Sequence, residues 1–227
     1  MRKDSPKLKQ EIDAFAKEHV WGTQLGNDLV RKYTGSTRFL TDARSTDATK
    51  RYLELVDLFR KYSDQYSLDY MLMMAQAYQE SRLKQTARSP VGAVGVMQIM
   101  PATGAELGVG DINQLEPNIH GGVKFIRSMI DQHFASDSVT TLNQALLALA
   151  AYNAGPGRVQ RLRTEAAKQG LDPNIWRNNV ELIAARRIGA ETVTYVANIY
   201  RYYVAYRLAE LEAEARQKQK EKVGAGE

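Results

Sequence analysis

Apolar positions along this chain recur at i, i+3, i+4 and i+7, the spacing that lines one face of an α-helix. Tyr52, Leu55, Val56 and Phe59 make one such stripe, and Leu68, Met71, Leu72 and Ala75 make a second. A third runs through Ile119, Val123, Ile126 and Ile130, in a helix that opens near Pro117. Leu142, Ala145, Leu146 and Leu149 make a fourth, and Val193, Val196, Tyr200 and Tyr203 a fifth. Ser67 is placed to cap the second helix. Turn-forming clusters separate the stripes: Ser89-Pro90-Val91-Gly92, Gly108-Val109-Gly110, Gly155-Pro156-Gly157 and Gly170-Leu171-Asp172-Pro173. Strict alternation is scarce. The pattern therefore predicts a mainly α domain over residues 49–208, with a short hairpin or extended turn around residues 87–98.

The two ends read differently. Residues 1–48 hold one helical stretch followed by polar turns, with too few apolar positions for a core, and are expected to be a linker or tail that docks on something else. Residues 209–227 are charged and end in glycine, the composition of a disordered, solvated tail. A chain of 227 residues, 44% of them hydrophobic, has the size of one domain with an appendage. Its longest apolar stretches, such as Ala145 to Tyr152, fall well short of the ~20 residues that cross a bilayer, and the first ten residues lack the apolar centre of a secretory signal. The net charge of +5 is mild and mixed with Glu, as in Arg216 to Lys222, which describes a solvated surface better than a nucleic-acid patch.

Candidate chemistry is narrowed by what the chain lacks. There is no cysteine, so thiolate catalysis, disulfides and cysteine metal sites are excluded. The three histidines, His19, His120 and His133, share no metal-ligand spacing, and neither a phosphate-binding Gly-rich loop with its Lys nor a Gly-x-Ser-x-Gly turn is present. No metal and no cofactor is expected.

Carboxylate chemistry remains. Glu80 ends the run MLMMAQAYQES, so its carboxyl is mounted on a rigid, largely apolar helix. Desolvation there disfavours the charged form and raises the pKa toward the range a general acid needs. Taken alone, Glu80-Ser81 is equally the solvated end of a helix. Three further segments bear on it. Gly92-Ala93-Val94-Gly95-Val96-Met97-Gln98 allows close backbone approach and offers the Gln98 amide, suited to a sugar acetamido group, or it is a tight turn before a helix started by Pro101. Ala151-Tyr152-Asn153-Ala154-Gly155 ends an apolar helix with a phenol and an amide that a C-cap does not require. Glu191 and Tyr195 stand at i and i+4 on one helix face, as a cleft lining or a surface pair.

In this order and spacing, the four segments resemble the catalytic domain of soluble-type (SLT) lytic murein transglycosylases, which is similar to goose-type lysozyme. Residues 5–33 also resemble the segment that follows a solute-binding-like module in transglycosylases of the membrane-bound F type. The resemblance implies a lysozyme-like helical domain acting on peptidoglycan. Glu80 would be the single catalytic acid/base, cleaving the bond between N-acetylmuramic acid and N-acetylglucosamine without water to give a 1,6-anhydro product. Ser81 resembles the family's supporting hydroxyl, Gln98 and Asn153 its hydrogen-bonding cleft groups, Met97 and Tyr152 its apolar and aromatic walls, and Glu191 with Tyr195 its late-helix pair. Gly95-Val96-Met97-Gln98 departs from the family's Gly-Leu-Met-Gln by one apolar exchange. The implied partners are glycan strands and muropeptides, with an N-terminal regulatory module ahead of residue 1, and the implied location is periplasmic with outer-membrane association.

Two other functions fit the same residues. A lysozyme-type hydrolase needs a second carboxylate, for which Glu106, Asp111, Glu116 and Glu191 are candidates. A non-catalytic muropeptide-binding domain needs none.

Overall fold

The computed structural model of the protein describes residues 46–224, with side chains through Glu210. The expected linker and its resemblance to the F type fall on residues 1–45, outside the described residues. Residues 46–48, assigned to that linker, instead form the first turn of helix α1 (Thr46–Gln65), where Ala48 is buried. The chain continues through α2 (Tyr70–Ser81), α3 (Pro101–Leu107) and α4 (Leu115–Met129), which ends in one π-helical turn at Ile130–Phe134. Helices α5 (Thr141–Ala154) and α6 (Pro156–Lys168) follow, then a kinked turn at Trp176–Val180, α7 (Glu181–Arg187) and the long α8 (Ala190–Gly224). The described residues contain no β-strand. The turn predicted near residues 87–98 is held by isolated antiparallel bridges between Arg88 and Val94 and between Val94 and Ile99.

Helix α2 is the centre of the domain, packed between α1 and α8. Every residue from Met71 to Tyr78 is buried, so this helix is apolar nearly all round rather than amphipathic. Its start corrects one expectation. Asp69, not Ser67, is the N-cap: its carboxylate accepts from the amides of Met71 at 2.9 Å and Leu72 at 3.3 Å. Ser67 sits two residues too early, in a left-handed turn at φ 51°, and an ionised acceptor binds the helix's exposed amides more strongly than a hydroxyl.

At its other end, α2 stops just after the candidate acid. Arg82 and Leu83 both take left-handed backbone conformations, φ 57° and 61°, which cost a non-glycine residue roughly 1–2 kcal/mol each. Surrounding contacts hold them there. The Arg82 guanidinium donates to the Tyr202 hydroxyl at 2.7 Å and lies over the Tyr78 ring, its carbonyl accepts from Arg51 Nε at 3.0 Å, and Leu83 is buried.

Helix α8 follows Gly189, whose φ of 83° turns the chain back toward α2. It remains helical through Gly224, into the charged stretch expected to be a tail. Ala, Glu, Gln and Lys, which dominate that stretch, are strong helix formers even without a core to pack on.

Candidate active site

Glu80 sits in the last turn of α2, at the boundary between the buried run and solvent. Its carboxylate accepts a hydrogen bond from the Tyr195 phenol at 2.5 Å, across the α2–α8 contact. Desolvation by the apolar surroundings pushes the Glu80 carboxyl up to about 7, and the phenol's hydrogen bond only partly opposes that rise. The group is thus poised to carry a proton near neutral pH and to release it. Tyr195 is buried, and burial followed by the charge of Glu80 keeps its phenol protonated well beyond its ordinary range. The Tyr152 phenol is raised in the same way and for the same reasons.

Joined to α2 through Ser81, the residue after the acid, residues 94–98 form a loop gripped by side chains that bond its peptide groups. Ser81 Oγ donates to Val96 O at 2.8 Å, with Ala77 O as an alternative acceptor at 3.2 Å. The Tyr152 phenol donates to Met97 O at 2.6 Å. Gln85 accepts from the Val96 amide at 3.1 Å while its own amide donates to the carbonyls of Ile112 and Asn113. Asn118, fully buried in the first turn of α4, accepts from the Met97 amide at 2.8 Å and donates to Val94 O and Ile112 O, both at 2.9 Å.

The loop lies against α4 at two adjacent glycines. A β-carbon at Gly122 would stand 2.5 Å from Met97 Cγ, and one at Gly121 would stand 2.9 Å from Ile99 Cδ1. These glycines cost α4 roughly 1 kcal/mol each relative to alanine, and the close approach of the loop is what they permit.

The residues expected at the site come together unequally. Glu80 and Tyr195 are bonded, and Ser81 and Tyr152 both reach the loop. Met97, expected on a cleft wall, is fully buried against Gly122, so it presents its carbonyl to Tyr152 while its side chain fills the core. Gln98 is left-handed at φ 48°, and its amide folds back to Gly95 O at 2.8 Å. Asn153 is exposed at the end of α5 and accepts from the buried Thr192 hydroxyl at 2.7 Å, tying α5 to α8. Glu191 is exposed in the first turn of α8. Gln76, Gln85 and Asn118 were not singled out from the sequence. The available signal for Gln76 and Asn118 was a polar residue inside or beside an apolar stripe.

No set of three His, Cys, Asp or Glu residues close enough to hold a metal ion occurs among the described residues. The chemistry available is proton transfer by one desolvated carboxyl bonded to a phenol.

A family model described as the transglycosylase SLT domain matches residues 57–175, which include Glu80, the 94–98 loop and Asn153. The chain belongs to this family. Among its curated relatives, a membrane-bound lytic murein transglycosylase F of Vibrio campbellii is 35% identical over 159 residues, covering 64% of this chain and 29% of the relative. One of Shewanella frigidimarina is 31% identical over 217 residues, covering 88% of this chain and 44% of the relative. The SLT chain described here therefore spans less than half the length of either.

Solved structures with the SLT fold agree. An inactive mutant of the lytic transglycosylase Slt from Pseudomonas aeruginosa superposes with a TM-score of 0.54 at 25% identity, over 84% of this chain and 30% of that one. The 70 kDa soluble lytic transglycosylase of Escherichia coli gives the same TM-score at 24% identity, over 89% and 34%. The mainly helical, lysozyme-like architecture expected from the sequence is the one found.

Proposed function

We propose that this SLT chain is a peptidoglycan lytic transglycosylase in which Glu80 acts alone as acid and then base. The observation that carries this reading is the environment of Glu80. Burial and one phenol set its acidity, and the four other candidate carboxylates stand in different surroundings. Glu116 is held by Lys61 and Tyr62, Asp111 is bonded to Asn113, and Glu106 and Glu191 are exposed. A hydrolase that places water needs two carboxyls flanking the scissile bond. A transglycosylase needs one, because the substrate supplies the nucleophile.

Protonated Glu80 gives its proton to the glycosidic oxygen between N-acetylmuramic acid and N-acetylglucosamine, and the bond to the muramic acid anomeric carbon breaks. The substrate's acetamido oxygen stabilises the electron-poor carbon. The Glu80 carboxylate, now held by Tyr195, takes the proton of the muramic acid C6 hydroxyl, whose oxygen closes the 1,6-anhydro ring. The acid is regenerated and no water is consumed. Ser81 and Tyr152 fix the 94–98 loop beside the acid, and Asn153, Gln98 and Glu191 offer polar groups to the glycan.

Because peptidoglycan lies outside the cytoplasmic membrane, the place of action is the periplasm, with outer-membrane association. No described helix is long and apolar enough to cross a membrane. Docking of an N-terminal regulatory module would add control over the cleft.

Mass spectrometry of muropeptides released from purified peptidoglycan tests the reading. Products lighter by one water than hydrolytic muropeptides are expected. Fully hydrated, reducing-end products would make the chain a lysozyme-type hydrolase, and the lack of any product would leave a muropeptide-binding domain or a cleft that works only with an N-terminal module.

A further inference from the structure

Gln76 lies one helical turn before Glu80 in α2 and is fully buried, yet neither polar atom of its amide completes a hydrogen bond. A side-chain amide buried in that state costs roughly 1–3 kcal/mol, and nothing in the packing of α2 requires it, since its neighbours Met73, Met74, Ala75 and Ala77 are apolar and equally buried. The amide lies close enough to the Tyr195 phenol to oppose the rise in that group's pKa, though it falls short of a hydrogen bond. Residues at i and i+4 share a helix face, so Gln76 and Glu80 address the same phenol from successive turns.

We propose that Gln76 is a positioning residue: its buried amide anchors the Tyr195 phenol, and the phenol in turn holds the Glu80 carboxylate. A phenol oxygen has lone pairs to accept with while its O–H donates. An amide N–H placed on that oxygen polarises the O–H and strengthens the bond it makes to Glu80. The link matters most when Glu80 is ionised, after it has given up its proton. The helix thus carries an amide where an apolar side chain would make a more stable core.

The titratable groups facing this cluster are Glu80 on α2, Tyr195 on α8 and Tyr152 on α5; the Glu80 charge raises both phenols, and of the two it is Tyr195 that bonds the carboxyl. Removing the amide weakens support for the carboxylate, so the ionisation of Glu80 moves to higher pH.

This inference rests on the reading of Glu80 as the acid, but its test does not require turnover. In the 227-residue chain carrying 13C-labelled glutamate, the Glu80 carboxyl is titrated by NMR for wild type, Gln76→Met, Tyr195→Phe and the double variant. Gln76→Met is expected to raise the midpoint by about 0.5 unit, to leave the midpoint of Tyr195→Phe where it is, and to keep or raise thermal stability. An unmoved midpoint, or an equal shift in the Tyr195→Phe background, would overturn the proposal.

The wild-type chain supplies a check that needs no Gln76 variant. The Gln76 side-chain amide resonance is expected to follow the titration of Glu80, and an amide that ignores it would also overturn the proposal. If anhydro products are made, the alkaline limb of the cleavage rate rises with the same midpoint. If none are made, the functional reading fails while the titrations still decide the role of Gln76.

Discussion

Glu80 and Glu116 each accept a hydrogen bond from a tyrosine phenol, at 2.5 Å from Tyr195 and at 2.8 Å from Tyr62, and they come out with opposite acidities. Glu80 is pushed up to about 7 by burial. Glu116 is pulled below the ordinary carboxylate range by its bonds to the Lys61 ammonium, at 2.7 Å, and to Tyr62. A phenol steadies a carboxylate in both places. What separates a proton donor from a surface ion pair is the cation on one side and the apolar surroundings on the other.

The largest expected difference is in cleavage. Glu80→Gln keeps the shape of the side chain but has no acidic proton, so release of muropeptides should fall by at least about 10²-fold, with circular dichroism unchanged. Glu116→Gln should cleave like wild type. A Glu80→Gln chain that still cleaves would remove the acid from the mechanism.

Next are the phenols. Tyr195→Phe should raise the Glu80 midpoint further and slow turnover roughly tenfold or more, the worth of a hydrogen bond to a charged group. Tyr62→Phe should do neither, which pH–rate profiles of the two variants would compare directly.

Stability against pH reads the same contrast without substrate. The Glu80 carboxyl ionises at about 7 in the folded chain and near 4.5 when unfolded, so between those values the folded state holds a proton that the unfolded state has lost. Its contribution is fully present below about 4.5 and is lost as pH rises through about 7. The rise corresponds to about 3 kcal/mol. Thermal melts should therefore show Glu80→Gln more stable than wild type at pH 8 and no better at pH 4.

The smallest effect is at the ion pair. Lys61→Met should let the Glu116 titration drift back up toward the ordinary range, visible by NMR, with no change in cleavage.

Much of this was legible in the chain. The apolar stripes marked α1, α2, α4, α5 and α8 because each presents a repeating face to the same core. Glu80 stood out only in company with the three other segments, and Tyr195 was marked as the partner of Glu191 on α8, so its bond to Glu80 was not legible in the spacing. The cap of α2 was misplaced because Ser67 and Asp69 are both competent caps, and the choice depends on a left-handed turn that spacing does not reveal. The inward turn of Met97 was hidden for a related reason. It depends on Gly122, twenty-five positions away in the sequence, leaving room for a side chain. Asn118 and Gln85 were passed over because their partners are peptide groups, which every residue has and no motif displays.

Such a domain drifts over time under an uneven constraint. The 94–98 loop is fastened through the carbonyls of Val94, Val96 and Met97 and the amides of Val96 and Met97. Any residue with a peptide N–H that fits the space can supply those groups, and valine at position 96 does so. The letters of this loop are freer to change than its path, whereas Ser81, Gln85, Asn118 and Tyr152, which touch no reacting atom, hold the fastenings and are the positions at which exchange would be felt.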